Sequence, residues 1–302
     1  MFLKPPKAST DPCVRSLLQK AARRGYTGIV KGAVRRLDMN GDKTWLRSRA
    51  VVITFEECWP LAASLSIERD ISSKLSSILN VTRSEKVKDA AGLGALAHAL
   101  SEGDRSTERF VPDIRLLKFV AEALKRPPAF FDWAFGQAKD EFSKTVVSTA
   151  KKYLPVATWQ WDKACILAGA LLAISGERPQ ITDYETPTVE FPFWIALDKH
   201  TPIGKIALSD IAKEIGSSYR QLIWASFYCE STSSSYLKAS PWWDAEKSWR
   251  LNRAGMTLDD TEKLWSRASP LVRARVEPEA KMLKGLVDEL PIVREITTPS
   301  ML

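Results

Sequence analysis

The chain has 302 residues, 45% of them hydrophobic and 26% charged, with a formal net charge of +8. That balance is globular and excludes wholesale disorder, and at this length roughly 75% of the unfolded surface can be buried without disulfides or metal. The longest unbroken apolar run, 164–174, is too short to span a bilayer.

Most of the sequence has helical periodicity. Over 11–24 the apolar positions Val14, Leu17, Leu18 and Ala21 share one helix face, and Gly25 ends the helix. The next helix starts near Thr27 on Ile29, Val30, Ala33, Val34 and Leu37, and Asn40-Gly41 stops it. A third starts at Asp42 and stops before Pro60. Its stretch Ala50-Val51-Val52-Ile53-Thr54 is β-branched, yet its place between helices predicts a buried helix. Residues 62–103 predict two or three shorter helices, with Gly92 and Gly94 inside an Ala-rich run. A strongly periodic helix is predicted over 113–125, closed by Arg126-Pro127-Pro128. One long helix is expected over 129–153, and a helix apolar nearly all round over 159–175.

The stretch 176–192 is polar and carries three prolines, so it is the best place for a domain boundary or a hairpin. Phe191 to Leu197 suits a short strand. Helices resume over 207–228, 240–253, 258–268 and 270–288, with a flexible loop at 231–235 and a loose tail over 289–302. The expected fold is mainly α, a multi-helix globular bundle with room for a small β hairpin near 180–197. It divides into 1–175 and 176–302, with a single domain as the alternative. The eleven tryptophans suit a large helical core, and Trp242-Trp243 is the pair least suited to complete burial.

Charge is unevenly placed. Residues 1–50 hold 12 Lys/Arg against three acids, whereas the remainder is nearly neutral. A local surplus of this kind favours a polyanion. The expected phosphate contacts are Arg23, Arg24, Lys31, Arg35, Arg36, Lys43, Arg47 and Arg49, on three consecutive helices whose polar faces merge into one patch. The alternatives are an acidic protein partner, self-assembly into a homo-oligomer, or a merely solvated surface.

Catalytic signatures are missing. Gly204-Lys205 is followed by Ile206 and lacks its glycine-rich loop, so no phosphate cradle of that kind is expected. Two histidines, His98 and His200, and four dispersed cysteines are poor material for a zinc site. Asp198 and His200 suit an acid–base pair, but an Asp/His/Thr turn capping a strand end explains them better, and no nucleophile accompanies them. No enzyme activity, cofactor or metal is expected. The opening residues lack an apolar signal region and the cysteines lack a CxxC pair, so the expected location is cytoplasmic, with no membrane partner.

The run 208–225 resembles a helix-turn-helix. Ala212 sits at the helix contact, Gly216 supplies the turn, and Ser217, Ser218, Tyr219 and Arg220 are presented for a possible second DNA contact. Residues 16–60 resemble the helical C-terminal part of the MgsA/RarA family, clamp-loader-related AAA+ ATPases that act at replication forks. The matching pieces are 20–25, 32–37, Gly41-Asp42 and 45–57. The resemblance implies a helical collar or oligomerisation region without the ATPase module, so ATP hydrolysis is not carried over. The expected function is a non-enzymatic DNA-associated accessory protein of replication, recombination or repair.

Overall fold

The structure, a computed structural model, describes residues 11–65, 70–176 and 178–288. The tail expected at 289–302 lies outside the described residues. Among those described, thirteen α-helices pack around one principal core, and no β-strand occurs. They are α1 (Asp11–Arg24), α2 (Thr27–Met39), α3 (Lys43–Cys58), α4 (Ile71–Arg83), α5 (Asp89–Ser101), α6 (Ile114–Lys125) and α7 (Pro127–Gln137). The remainder are α8 (Glu141–Tyr153), α9 (Gln160–Ser175), α10 (Pro202–Glu214), α11 (Tyr219–Ser226), α12 (Pro241–Arg253) and α13 (Leu258–Asp288).

The first two helices follow their sequence periodicity. Val14, Leu17, Leu18 and Ala21 are fully buried, and Gly25 closes α1 at φ +85°, a backbone conformation that favours glycine. The β-branched stretch of α3 is helical because neighbours cover it on every side: Ala50 through Phe55 are all buried. Gly169 of α9 accepts the Phe55 ring against its backbone; a Cβ there would lie 2.5 Å from the ring.

At the centre, α5 packs against α9 and α12. Both of its glycines are consumed by these approaches. A Cβ on Gly92 would meet the Trp242 backbone at 2.4 Å, and one on Gly94 the Cys165 backbone at 2.6 Å. The helix-weakening residues thus set how closely α5 sits against its neighbours.

Several expectations are corrected. The single helix over 129–153 breaks at Ala138, because the Asp140 carboxylate accepts from the Ser143 amide at 2.7 Å and caps α8 afresh. The two helices expected over 258–288 are one. Its buried stripe of Thr261, Trp265, Ala268, Val272, Val276, Ala280, Leu283 and Val287 runs straight past Pro270 and Pro278. Burial of that stripe outweighs two prolines at about 3 kcal/mol each. No hairpin forms at 180–197. Prolines 179, 187 and 192 remove ladder donors, and 182–184 instead bonds to the end of α4 and the residues just after it, with Glu85 N donating to Thr182 O at 2.8 Å. Phe193 to Ala196 form a 3₁₀ turn rather than a strand. Trp242 and Trp243 are both buried; Trp243 covers the Lys88 ammonium, 4.5 Å from its ring centroid.

The principal core takes residues from Val14 through Val287 and so crosses the boundary expected at 176. A second cluster joins α10, α11 and α13 through Leu208, Ile211, Ala212, Leu222, Ala225, Trp265, Ala268 and Val272. Because α5 has no space for added atoms against α9, Gly94→Ala is expected to lower stability by about 1–3 kcal/mol despite alanine's better helix propensity. Urea unfolding of the variant checks this through a lower midpoint.

Candidate nucleic-acid interface

The α1 side chains Ser16, Lys20 and Arg23 recur every three or four residues and so share a face, opposite Leu17, Leu18 and Ala21. That face is interior too. The Lys20 ammonium lies 2.5 Å from the buried Asp198 carboxylate, which also accepts from Ser231 Oγ at 3.1 Å. Arg23 donates from Nε and Nη2 to Glu57 Oε1 at 2.8 and 2.6 Å, and from Nη1 to Ser231 O at 2.6 Å. Lys88 completes the group, 3.2 Å from Glu57. Lys86, fully buried beside them, donates to the carbonyls of Val81, Thr82 and Ser84 and so caps the end of α4. Burial, only partly offset by Glu57, pulls the Lys86 ammonium down to about 8.

Burial works to raise the Glu57 carboxyl, but Arg23 and then Lys88 outweigh it and hold it down to about 2. Asp198 is likewise opposed by burial and held well below the usual carboxylate range by Lys20 and then His200. The loop expected to be flexible at 231–235 is pinned by this network: Ser231 is buried, and Ser234 Oγ donates to Arg23 O at 2.9 Å.

Three of the eight expected phosphate contacts are therefore engaged internally. Arg23 is 3% exposed and is removed from the patch. Arg24 pairs with Glu230 at 2.7 Å, and Arg49 bridges Asp162 and Glu56 at 3.2 and 3.3 Å. Lys31, Arg35 and Arg36 stay half-buried along α2. Lys43 and Arg47 are exposed on the first turns of α3, Lys43 3.6 Å from Asp38. Among the described residues, no carboxylate lies within ion-pair distance of Lys31, Arg35, Arg36 or Arg47.

Arg47 opens onto a groove of about 750 Å³. The first turns of α3 supply Thr44, Trp45, Arg47 and Ser48; α4 supplies Lys74; and the end of α8 supplies Lys152 and Tyr153, followed by Val156 and Thr158. Lys151, next to Lys152 in sequence, is exposed but lies over the Phe135 ring of α7, 5.2 Å from its centroid, outside the groove lining. Lys74 donates to the Tyr153 hydroxyl at 2.9 Å and lies over its ring. Arg15 holds Asp42 through two hydrogen bonds of 2.9 and 2.8 Å and lies over Trp45, fixing that ring at the groove wall. Sequence reading missed the α4 and α8 contribution. The only local signal was Lys151-Lys152-Tyr153 ahead of Pro155, more than a hundred residues from Lys43.

The helix-turn-helix-like pair is present as α10 and α11. Gly216 turns at φ +69°, and Ser218 and Gln221 exchange reciprocal cap bonds at 3.1 and 3.3 Å. Ala212 is buried at the contact with Leu222 and Ala225, while Ser218, Tyr219 and Arg220 are exposed and Ser217 half-buried. Arg220 is the one basic residue among these four, and Arg275 nearby is drawn toward Asp210 and Glu214 at 3.4 and 3.6 Å.

Asp198 and His200 are adjacent, Nδ1 to carboxylate 3.0 Å, but their turn caps a helix rather than a strand end: Thr201 accepts from the Gly204 amide at 3.1 Å to start α10. Among the described residues no group of three or more His, Cys, Asp or Glu side chains is placed to hold a metal ion, and no helix is long and apolar enough to cross a membrane.

Arg23→Ala is expected to cost about 3–5 kcal/mol of stability, because Glu57 is left buried without its main partner. Calorimetry checks this through a lower melting temperature. Glu57 titrates near 2 when folded against an ordinary value of 4.5. Its stabilising contribution is therefore complete above about pH 4.5 and is lost as the pH falls through 2. Glu57→Gln should be less stable at neutral pH and show a shallower acid dependence of its melting temperature.

Comparison with known protein families, curated proteins and solved structures found no match to this chain.

Proposed function

We propose that the protein is a non-enzymatic nucleic-acid-associated factor, an accessory of DNA replication, recombination or repair, that holds phosphates at the start of α3. The observation that carries this reading is the convergence of Arg47 from α3 with Lys74 from α4 and Lys152 from α8 around one groove, although the three are distant in sequence. Like charges repel, so gathering cations on one surface favours an anionic partner. The groove's aromatic walls distinguish that partner from a simple counterion. The resemblance of residues 16–60 to the collar region of the MgsA/RarA family supports DNA as the polyanion. The absence of a glycine-rich phosphate loop from the sequence supports a binding role over nucleotide hydrolysis.

Each phosphate contact made by a lysine or arginine releases about one counterion. The double variant Lys43→Glu, Arg47→Glu is therefore expected to weaken binding strongly at low salt and to flatten the log–log salt slope by about two. The loss should be equal on unrelated sequences, because phosphate contacts position a protein without reading bases. Both residues are exposed, so the fold should be unaffected. Gel shifts at two salt concentrations, with circular dichroism as the fold control, test this. A parent protein that binds no nucleic acid at low salt overturns the reading and favours an acidic protein partner.

A further inference from the structure

We propose that Lys199 is a reactive amine, a site at which a small aldehyde condenses to an imine. None of the residues that form this site lines the groove between α3, α4 and α8.

Lys199 sits half-buried in the turn before α10. Its Nζ lies 3.6 Å from the ring centroid of Trp224 in α11 and 3.9 Å from that of Phe227 just after it. Among the described residues it has no hydrogen-bond acceptor and no carboxylate within ion-pair distance. The interior lysines differ. Lys20 meets Asp198, Lys74 the Tyr153 hydroxyl, Lys88 Glu57, and Lys86 three carbonyls. Each of these has oxygen atoms to receive its N–H donors, whereas Lys199 turns three donors toward two aromatic faces. An aromatic face attracts an ammonium but does not replace the hydrogen bonds that burial removes.

A second cation stands at the same ring. Arg250 of α12 lies 4.3 Å from the Trp224 centroid and donates to Glu246, which also accepts from the Tyr228 hydroxyl. On the other side Asp198 is taken by Lys20, His200 and Ser231. The two carboxylates that act on Lys199 are therefore already engaged. His200, its ring 6.4 Å from Phe227, is held below its ordinary value by burial and so adds no charge at neutral pH. Burial and then Arg250, with Lys20 adding to them, outweigh Asp198 and Glu246 and pull the Lys199 ammonium down to about 7.

Apolar surroundings and a neighbouring cation are two conditions that make a lysine nucleophilic, and both hold at Lys199. The nitrogen lone pair adds to the carbonyl carbon, forming a C–N bond as the C=O π pair moves to oxygen. Both amine hydrogens then leave with that oxygen as water, and a C=N bond remains. Nothing is oxidised or reduced. The rings of Trp224 and Phe227 favour an aldehyde that is itself flat and apolar.

The test uses the full chain with benzaldehyde, the imine being trapped by cyanoborohydride, which delivers hydride to the C=N carbon. Peptide mass mapping reads the rate at each lysine. At about pH 7 an amine that titrates at about 7 is half neutral, against about one part in a thousand or fewer for an ordinary lysine. Partial cover and lower basicity take back some of that advantage, so Lys199 is expected to be labelled about tenfold or more faster than the exposed Lys205 of α10. The ratio of the two rates should fall about tenfold per pH unit above about pH 8, where Lys199 is already neutral and exposed lysines are still losing protons. Lys199→Arg keeps a cation over the rings and should remove the fast phase of labelling seen by intact mass. If Lys199 is labelled no faster than Lys205 at about pH 7, if the ratio does not fall as the pH rises, or if the fast phase survives in Lys199→Arg, the reactive amine is refuted.

Discussion

The arrangement of this protein depends on the charges buried between α1, α3 and the turn before α10. Lys20 meets Asp198, and Arg23 and Lys88 meet Glu57, all away from solvent. Desolvating each charge costs several kcal/mol, so such a group persists only when every member is opposed and hydrogen-bonded. The Ser231 carbonyl and hydroxyl provide further bonds, which explains why a serine-rich loop is drawn inward. The network joins residues as far apart in the chain as Lys20 and Ser231 and makes α1 an interior helix covered on two faces.

One consequence concerns the surface. An N-terminal block with a surplus of cations does not present all of them. The network and its neighbours engage Arg23, Arg24 and Arg49, and Arg15 is held by Asp42. What remains exposed is shifted to the start of α3, where Arg47 lines the same groove as Lys152 at the end of α8. The basic surface is thus smaller than the charge count implies and is assembled from two parts of the chain. Trp45 of α3 and Tyr153 of α8 line the same groove as Arg47, Lys74 and Lys152.

Glycine placement is a second determinant. At Gly92, Gly94 and Gly169 the missing Cβ lets neighbouring backbones or rings approach to distances that no other residue permits. These contacts hold α5 against α9 and α12, and α9 against α3. Precise packing of this kind converts a set of amphipathic segments into one arrangement.

The sequence by itself determined the helices whose apolar residues recur with a period near 3.6: α1, α2 and α6 all lie where that pattern puts them. It also determined the turn between α10 and α11, because Gly216 and the Ser218–Gln221 cap are local chemistry. Breaks and continuations were less legible, since the cap at Asp140 and the unbroken stripe through Pro270 each depend on whether tertiary burial outweighs a local preference. The fate of the charges was decided only by tertiary structure. Periodicity sets Ser16, Lys20 and Arg23 opposite the apolar face of α1, where solvent is the ordinary expectation. Glu57, Lys88 and Asp198, from distant segments, make that face interior. A charge pattern on one helix records which residues point together, but whether they face water depends on countercharges that the local sequence does not contain.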